Sequence, residues 1–392
     1  MKVHINQLPV KRNYVFLNEN YYDSLFNKIF ETCFSIANAS RLLDISKSAL
    51  GRFSRKENKR IRIDFLLKIS DFLNIPLEEI ENKIVWIGNN QSHGIINPNL
   101  PFNFNSRAGA RFLAAICNEG WISDGAYYSN SSKELRYSVK NDALSVFGGD
   151  NDTIREWIKE KDQYLAFPSI IRDVLILITK FKGVKSVNNP PVPSFILENK
   201  KLIFGWIEQT IADEGHVKYY DDKYRREIIW RRSFNKNLNE CKLNTDERKM
   251  LDKIGISYDV KNIGTYKTKK GIEKIRLQIR LSKRKNLLKL RKQILIPCNR
   301  KNKTLTKMMR GFVRYKEPLK VKDAINQLCK DRGFVTSIML KREMNYKNTT
   351  TACVWLKKYL NKGFIKIMEP GYYHSRGRRI AAKYTLRDQK AF

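Results

Sequence analysis

The sequence predicts an α+β protein in which two related halves are flanked by small helical domains. Two helix-length segments, beginning near residues 107 and 201, are similar to each other, and patterns typical of strands lie near them. Short amphipathic helices are predicted towards both ends. With 392 residues, 42% of them hydrophobic, the chain is long enough for two to four domains with buried cores.

The chain is strongly basic. Its 76 lysines and arginines exceed its 39 acids and give a formal net charge of +37. Such a charge indicates a polyanionic partner, with nucleic acid the leading candidate. Lysine-rich usage can also reflect an AT-rich or thermophilic genome, although such proteomes usually add glutamate as well. Without an apolar run of about 20 residues or a signal peptide, we expect an intracellular protein (cytoplasm or nucleoid) that contacts no membrane.

Several function classes lack their motifs. The six cysteines form no CxxC pair and the four histidines complete no zinc-ligand spacing, so reduced, structural thiols are expected. No phosphate-binding GxxxxGK[ST], dinucleotide-binding GxGxxG or zinc-protease HExxH pattern occurs. Carboxylates are therefore the remaining candidates for a catalytic or metal-binding site.

Residues 31–80 predict several short helices. The segments SIANASRLLDIS and KSALGRFSRK resemble the helix-turn-helix of phage-repressor-type regulators, with residues 37–44 as the supporting helix and 46–55 as the recognition helix. Ile45, Leu50 and Phe53 would face the domain core. An ordinary helical bundle with solvated charges is the alternative. The predicted DNA-facing residues are Lys47, Ser48, Arg52 and Arg55.

The two similar segments are RAGARFLAAICNEGWI (107–122) and KLIFGWIEQTIADEGHV (201–217), and each ends in an acid followed by glycine. Aligning Glu119 with Glu214 gives an offset of 214 − 119 = 95 residues, at which Ala110 meets Gly205. Small residues on one helix face allow two helices to pack closely. Their carboxyl ends would then lie side by side, each carrying one carboxylate.

Two neighbouring carboxylates repel each other unless a cation lies between or beside them. Oxygen ligands favour Mg²⁺ (or Mn²⁺), which beside a phosphodiester activates water and stabilises developing charge. Glu119 and Glu214 are therefore the candidate catalytic residues, and together with Gly120 and Gly215 they form the candidate metal site. Each glycine would let the chain turn out of its helix. Two amphipathic helices with ordinary solvated acids are the alternative.

The nine-residue motifs FLAAICNEG and IEQTIADEG resemble the two LAGLIDADG helices of homing endonucleases, and the similarity extends over about residues 95–300. The resemblance implies pseudo-twofold αββαββα repeats, a final acid in each motif that binds the catalytic metal, and a monomer that cuts double-stranded DNA. The usual motif glycine is replaced by Ala114 and Gln209. Because Gln209 is bulky, we expect looser packing between the two motif helices at this position, or a hydrogen bond between them.

Alternating strands offer surfaces for reading DNA. KIRLQIRL (274–281) places apolar residues on one face, and residues 223–234 alternate similarly. KELRYSVK (133–140) is the candidate strand of the first repeat; it is less basic, so the halves of a DNA site would be read unequally. A solvated sheet face is the alternative. The predicted DNA-reading residues are Lys223, Arg225, Arg231, Lys274, Arg276, Gln278 and Arg280.

After a basic connector, the last segment predicts three helices and a hairpin, which resembles a winged helix. The presumed recognition helix begins near Lys347 and the hairpin tip is rich in arginine, which suits phosphates or a narrow minor groove. A winged helix that binds protein is the alternative. The predicted DNA-binding residues are Thr349, Thr350 and Lys357 on the helix and Arg376, Arg378 and Arg379 on the wing.

These patterns define the expected organisation and two candidate functions. The first is a site-specific, metal-dependent DNA endonuclease, in which a lysine near 269 or 270 could assist catalysis. The second is a domesticated, non-cleaving transcription regulator, similar in outline to the WhiA sporulation regulators. The expected domains are a helix-turn-helix domain (1–90), a linker (91–106), the first LAGLIDADG repeat (107–192), the second (193–300), a basic connector (301–318) and a winged-helix-like domain (319–392).

Overall fold

The protein is mixed α+β with small antiparallel sheets, as the sequence predicts. In the computed structural model the chain divides into two compact units, Met1–Met309 and Arg310–Phe392. No helix of the described part is long and apolar enough to cross a membrane. The described residues are 1–57, 59–89, 93–159, 162–183, 185–220, 225–313, 318–373 and 379–387.

The first 106 residues combine helices with a four-stranded sheet, in which β3 (Ile61–Arg62) pairs with β2 (Asn13–Leu17), β2 with β4 (Ile84–Asn89) and β4 with β5 (Ile95–Ile96). The segment predicted as a linker contains β5 and β6 (Phe102–Asn103), and β6 pairs with β1 (Lys2–Val3). Its phenylalanines Phe102 and Phe104 are fully buried beside Phe147, so apolar packing rather than helical periodicity orders this segment. The elements are β1 (Lys2–Val3), a 3-10 helix (Ile5–Gln7), β2 (Asn13–Leu17), α1 (Glu19–Cys33), α2 (Ile36–Leu43), α3 (Lys47–Ser54), β3 (Ile61–Arg62), α4 (Ile63–Phe72), α5 (Leu77–Glu81), β4 (Ile84–Asn89), β5 (Ile95–Ile96) and β6 (Phe102–Asn103).

Helices α2 and α3 lie where the supporting and recognition helices are predicted. Asp44 ends α2 in the left-handed conformation (φ 49°), and the Ser46 hydroxyl caps α3 by accepting from the Ala49 N–H at 3.3 Å. Ile45, Leu50 and Phe53 are buried, as expected from their apolar spacing.

Residues 107–293 contain the order helix-strand-strand-helix-strand-strand-helix twice. Each set has one four-stranded sheet, in which the second strand lies between the first and the fourth and the third strand lies at the edge beside the fourth, so equivalent strands occupy equivalent places. The first set is α6 (Arg107–Asn118), β7 (Gly120–Ile122), β8 (Ala126–Ser129), α7 (Lys133–Phe147), β9 (Arg155–Ile158), β10 (Gln163–Phe167) and α8 (Ser169–Thr179). After α9 (Lys185–Asn188) and α10 (Ser194–Glu198), the second is α11 (Lys200–Asp213), β11 (His216–Tyr220), β12 (Arg225–Asn235), α12 (Lys242–Lys253), β13 (Asp259–Lys267), β14 (Glu273–Leu281) and α13 (Arg284–Gln293).

The strand predicted at 133–140 is wrong, because these residues form the first half of α7. The Ser132 hydroxyl caps the helix by accepting from the Leu135 N–H at 3.4 Å. Leu135, Val139 and Ala143 are buried at four-residue spacing. A short apolar run fits both a strand and a helix period, and here the longer pattern decides.

The predicted connector is also helical, because α14 (Asn299–Val313) covers most of it. Leu305, Met308 and Met309 are buried at helical spacing, which outweighs the basic composition. In the second unit, Val321, Ile325, Leu340, Leu356 and Ile365 form the core. Its elements are α15 (Pro318–Arg332), α16 (Ser337–Glu343), α17 (Thr349–Asn361) and the antiparallel pairs of β15 (Ile365–Glu369) with β18 (Lys383–Leu386) and β16 (Tyr372–Tyr373) with β17 (Arg379–Ile380).

Candidate metal centre and nucleic-acid interface

Helices α6 and α11 pack against each other along the face of small residues. A Cβ atom added to Gly205 would lie 2.7 Å from the Arg107 carbonyl oxygen and 3.2 Å from the Ala110 Cβ. Only glycine allows so close an approach of the two backbones. The contact joins Ala110 to Gly205, the pair that the 95-residue offset aligns.

We call this contact between α6 and α11 the seam. A buried ionic group lies on it, farther from the carboxyl ends of the two helices. Glu208 is 1% exposed, and it accepts from Arg107 Nε at 2.9 Å and Nη2 at 2.7 Å. Arg111 Nη1 lies 3.4 Å from the same carboxylate, and the Leu295 N–H donates to it at 2.6 Å. These contacts compensate the desolvated Glu208 charge and tie α6 to α11. The sequence analysis did not identify this group.

The two candidate acids occupy equivalent positions, each at the carboxyl-terminal cap of a seam helix. The Glu119 N–H donates to Ala115 O and the Glu214 N–H to Thr210 O, both at 3.0 Å. A Cβ on Gly120 would lie 2.8 Å from the Tyr127 carbonyl oxygen, and one on Gly215 would lie 2.5 Å from the Ile211 carbonyl oxygen. A Cβ atom at either position would clash with the backbone, so only glycine fits there.

The acids lie in a partly desolvated environment with several charges. Burial raises the pKa of Glu119, and the Glu214 carboxylate raises it further. Arg232 Nη1 lies 3.4 Å from Glu214 Oε1. Burial disfavours the Arg232 cation, but Glu247 and Glu214 outweigh this effect and raise its pKa. Burial thus disfavours the Glu119 carboxylate most, whereas the charges of Lys185, Arg232 and Lys301 favour it.

Two lysines donate to the last carbonyl groups of the seam helices. Lys185 Nζ donates to Asn118 O, and Lys301 Nζ donates to Ile211 O at 3.1 Å and to Ala212 O at 2.5 Å. Burial lowers the pKa of both ammonium groups. Their cations oppose the partial negative charge of the helix ends and the nearby acids.

These lysines were not among the predicted site residues, although their positions in the sequence are related. Each follows the final helix of its repeat, Lys185 by 185 − 179 = 6 residues and Lys301 by 301 − 293 = 8. The earlier candidates, Lys269 and Lys270, are exposed residues that follow β13.

A second polar cluster crosses the seam one residue before the acids. Asn118 Nδ2 donates to Asp213 Oδ2 at 3.1 Å, which joins another pair aligned by the 95-residue offset. Tyr128 Oη and Gln209 Nε2 donate to Asp213 Oδ1 at 2.7 and 2.9 Å. Gln209 therefore makes a bond within its own helix, and its buried Oε1 has no hydrogen-bond partner among the described residues. Burial raises the pKa of Asp213 to about 7.

The raised pKa of Asp213 makes folding stability depend on pH. The folded carboxyl keeps its proton up to about pH 7, whereas the unfolded chain loses it near pH 3.8. Stability from this group is full below pH 3.8 and is lost as the pH rises to about 7. Urea unfolding would be measured for the wild type and Asp213→Asn at several pH values. Between pH 3.8 and about pH 7, the free energy of unfolding of the wild type should fall by on the order of 4 kcal/mol relative to that of the variant. A constant difference would contradict the assignment.

The second sheet presents a basic face away from the helices. In the antiparallel register Arg231 opposes Gln278 and Ser233 opposes Arg276, while Ile279 and Leu281 are buried on the other face. The predicted strand is present, but its burial alternates only over residues 279–281, because Ile275 and Leu277 are half-buried like their outward neighbours. Arg280 Nε donates to the buried Glu227 carboxylate at 2.6 Å, which reduces its availability to a ligand. Of the other predicted contacts, Lys223 lies outside the described residues and only the backbone of Arg225 is described.

A cavity of about 560 Å³ connects this basic face with the seam. Its lining joins one acid, the end of α6, the start of α9 and residues of β12 and β14. These residues include Asn118, Lys185, Glu214, Arg231, Lys274 and Arg276.

The predicted DNA-binding residues of the terminal segments are only partly brought together. Lys47, Ser48, Arg52 and Arg55 are exposed on or beside α3, and Arg55 is paired with Glu57 at 2.6 Å. Thr349, Thr350 and Lys357 are exposed on α17. Arg376 and Arg378 lie outside the described residues, and only the backbone of Arg379 is described.

No group of three or more histidine, cysteine, aspartate or glutamate side chains suited to a metal occurs in the part of the chain that the structure describes. No protein-family model matches the sequence. No curated protein matches it either.

Proposed function

We propose that this chain is a site-specific, divalent-metal-dependent endonuclease of double-stranded DNA, of the LAGLIDADG homing type. The observation that carries the proposal is the pair Glu119 and Glu214, each capping one of two tightly packed helices, with burial and then the charge of Glu214 raising the pKa of Glu119. A hard cation would relieve this repulsion. The same end of the seam opens into a cavity lined by Arg231, Lys274 and Arg276.

The donors available at the helix ends suit Mg²⁺ or Mn²⁺. The carboxylates of Glu119 and Glu214 would hold the ion, and Gly120 and Gly215 leave room for close approach of their backbones. When bound, the metal supplies Lewis-acid activation of water and stabilises charge on the phosphate. Lys185 and Lys301 hold positive charge beside the acids, and Lys274, which lines the cavity, would position the phosphate backbone. As one chain carries both acids, a monomer suffices.

A regulator that binds DNA without cutting it is the second candidate. Arg232 favours it, because this buried cation lies 3.4 Å from Glu214 and could replace a metal as its counterion. The terminal modules, with α3 and α17 as recognition helices, suit either function.

Cleavage of a selected DNA site separates the candidates. The full chain would first select its site from randomised duplex DNA in EDTA, and a plasmid carrying this site would then receive Mg²⁺ or Mn²⁺. Linear plasmid that forms only with metal supports the endonuclease. Specific binding without strand breaks, at every metal concentration, would instead support the regulator.

On the basic face of the second sheet, we expect base-reading and phosphate-binding residues to affect DNA binding differently when they are replaced. Arg276→Ala and Gln278→Ala should each weaken binding to the selected site by about 1–3 kcal/mol and relax base preference there. Lys274→Ala should weaken binding to all sequences and reduce the slope of log affinity against log salt concentration by about one. Lys292→Ala, exposed on α13, is the control. Equal losses in all four variants would contradict recognition by this face.

A further inference from the structure

The outward face of the first sheet carries aromatic side chains where the second sheet carries basic ones. One ring comes from each strand: Trp121 from β7, Tyr127 from β8, Tyr164 from β10 and Trp157 from β9. We call these four residues the aromatic platform. Their alternate neighbours Tyr128 and Leu165 are buried on the opposite face.

The four rings form one continuous array. Trp121 stacks on Tyr127 with centroids 4.6 Å apart and planes at 19°, and Trp157 lies parallel to Tyr164 at 6.3 Å and 16°. Tyr164 also contacts Trp121 and Tyr127 edge-on, at 5.8 and 5.7 Å. The rings are therefore held in place by each other. Trp121 and Trp157 nevertheless remain 36% and 43% exposed.

Basic groups border the platform. A cavity of about 620 Å³, within the usual range of ligand pockets, is lined by Tyr127, Tyr164 and Trp157 together with Arg155, Arg60 and His93. Arg155 lies two residues before Trp157 on the same strand. Exposed rings beside cations fit a flat, aromatic and anionic ligand better than an apolar protein surface.

We propose that the aromatic platform binds unpaired bases of single-stranded DNA or RNA by stacking, with Arg155 beside the phosphate backbone. Every base has a π-face, and fixed aromatic rings on a sheet bind such faces with little sequence preference. Bases inside an intact duplex are stacked on each other and do not offer these faces. The inference goes beyond duplex cleavage and does not require it.

Fluorescence anisotropy in EDTA would test the platform on the full chain. The probes are labelled oligo(dT) and oligo(U) of about 15 nucleotides and a duplex of equal length. In the first double variant, Trp121→Leu with Trp157→Leu, apolar surface remains but stacking is lost. In the second, Trp121→Tyr with Trp157→Tyr, stacking is retained. Tyr137→Leu, 65% exposed on α7, is the matched control, and urea unfolding checks that every variant folds.

The leucine double variant should bind the preferred single strand about tenfold more weakly or worse, while duplex affinity changes less than about twofold. The tyrosine double variant and Tyr137→Leu should remain within about threefold of the wild type. Stronger wild-type binding to oligo(dT) or to oligo(U) identifies the nucleic acid. Wild-type affinity in the leucine variant, or equal loss of duplex affinity, would overturn the proposal. A wild-type dimer that the leucine variant dissociates would assign this face to a second copy instead.

Discussion

Glu119→Gln and Glu214→Gln should each lower the rate of DNA cleavage roughly a thousandfold, because a carboxylate that binds a metal supports several kcal/mol of transition-state stabilisation. Glutamine keeps the shape of the side chain but removes its charge. Binding to the selected site in EDTA should remain within about threefold of the wild type. Without metal the two acids only repel the phosphate backbone, so their removal takes away no attraction to DNA. The measurement is the rate of linear plasmid formation in Mg²⁺.

Stability measurements distinguish a functional acid from a structural one. Glu119 is partly buried beside Glu214, so Glu119→Gln removes repulsion and should unfold at an equal or higher urea concentration at pH 7. Glu31→Gln, at an exposed position of α1, should leave both cleavage and stability unchanged. Full cleavage by the double variant Glu119→Gln with Glu214→Gln would refute the metal-centre assignment. A large loss of stability in Glu119→Gln would instead indicate a structural role.

Gly205→Ala should destabilise the protein by about 1–3 kcal/mol, although alanine is the better helix former. The new Cβ would lie 2.7 Å from the Arg107 carbonyl oxygen, so α6 and α11 must separate. Separation would also displace Glu119 relative to Glu214, and we therefore expect a parallel loss of cleavage. Urea unfolding and the plasmid assay measure the two effects.

Gly51→Ala, within α3, is the matched control for Gly205→Ala. Its nearest neighbour would be the flexible Arg55 guanidinium at 3.3 Å, which can move. This variant should gain about 0.5–1 kcal/mol of stability from helix propensity. Equal stabilisation of both alanine variants would show that the seam tolerates a larger residue, and the close-packing argument would then fail.

Some features could be predicted because they depend on neighbouring residues. Period-two alternation identified β14, polar starts and apolar spacing identified α2 and α3, and small residues before an acid and glycine identified the two seam helices. The helix at 133–147 was misread because eight residues satisfied both periods, and the helix at 299–313 because its charges concealed its apolar spacing. Periodicity is reliable where the pattern is long.

By itself, the sequence determined the α+β class, the 95-residue repeat and the acids that end its two helices. Only the tertiary structure decided what surrounds those acids: Arg232 beside Glu214, the Asn118–Asp213 bond across the seam, and the lysines at both helix ends. The reason is physical. Helix and strand patterns arise from residues a few positions apart, whereas these contacts join residues that are 18 to 95 positions apart and meet only when the helices and sheets pack.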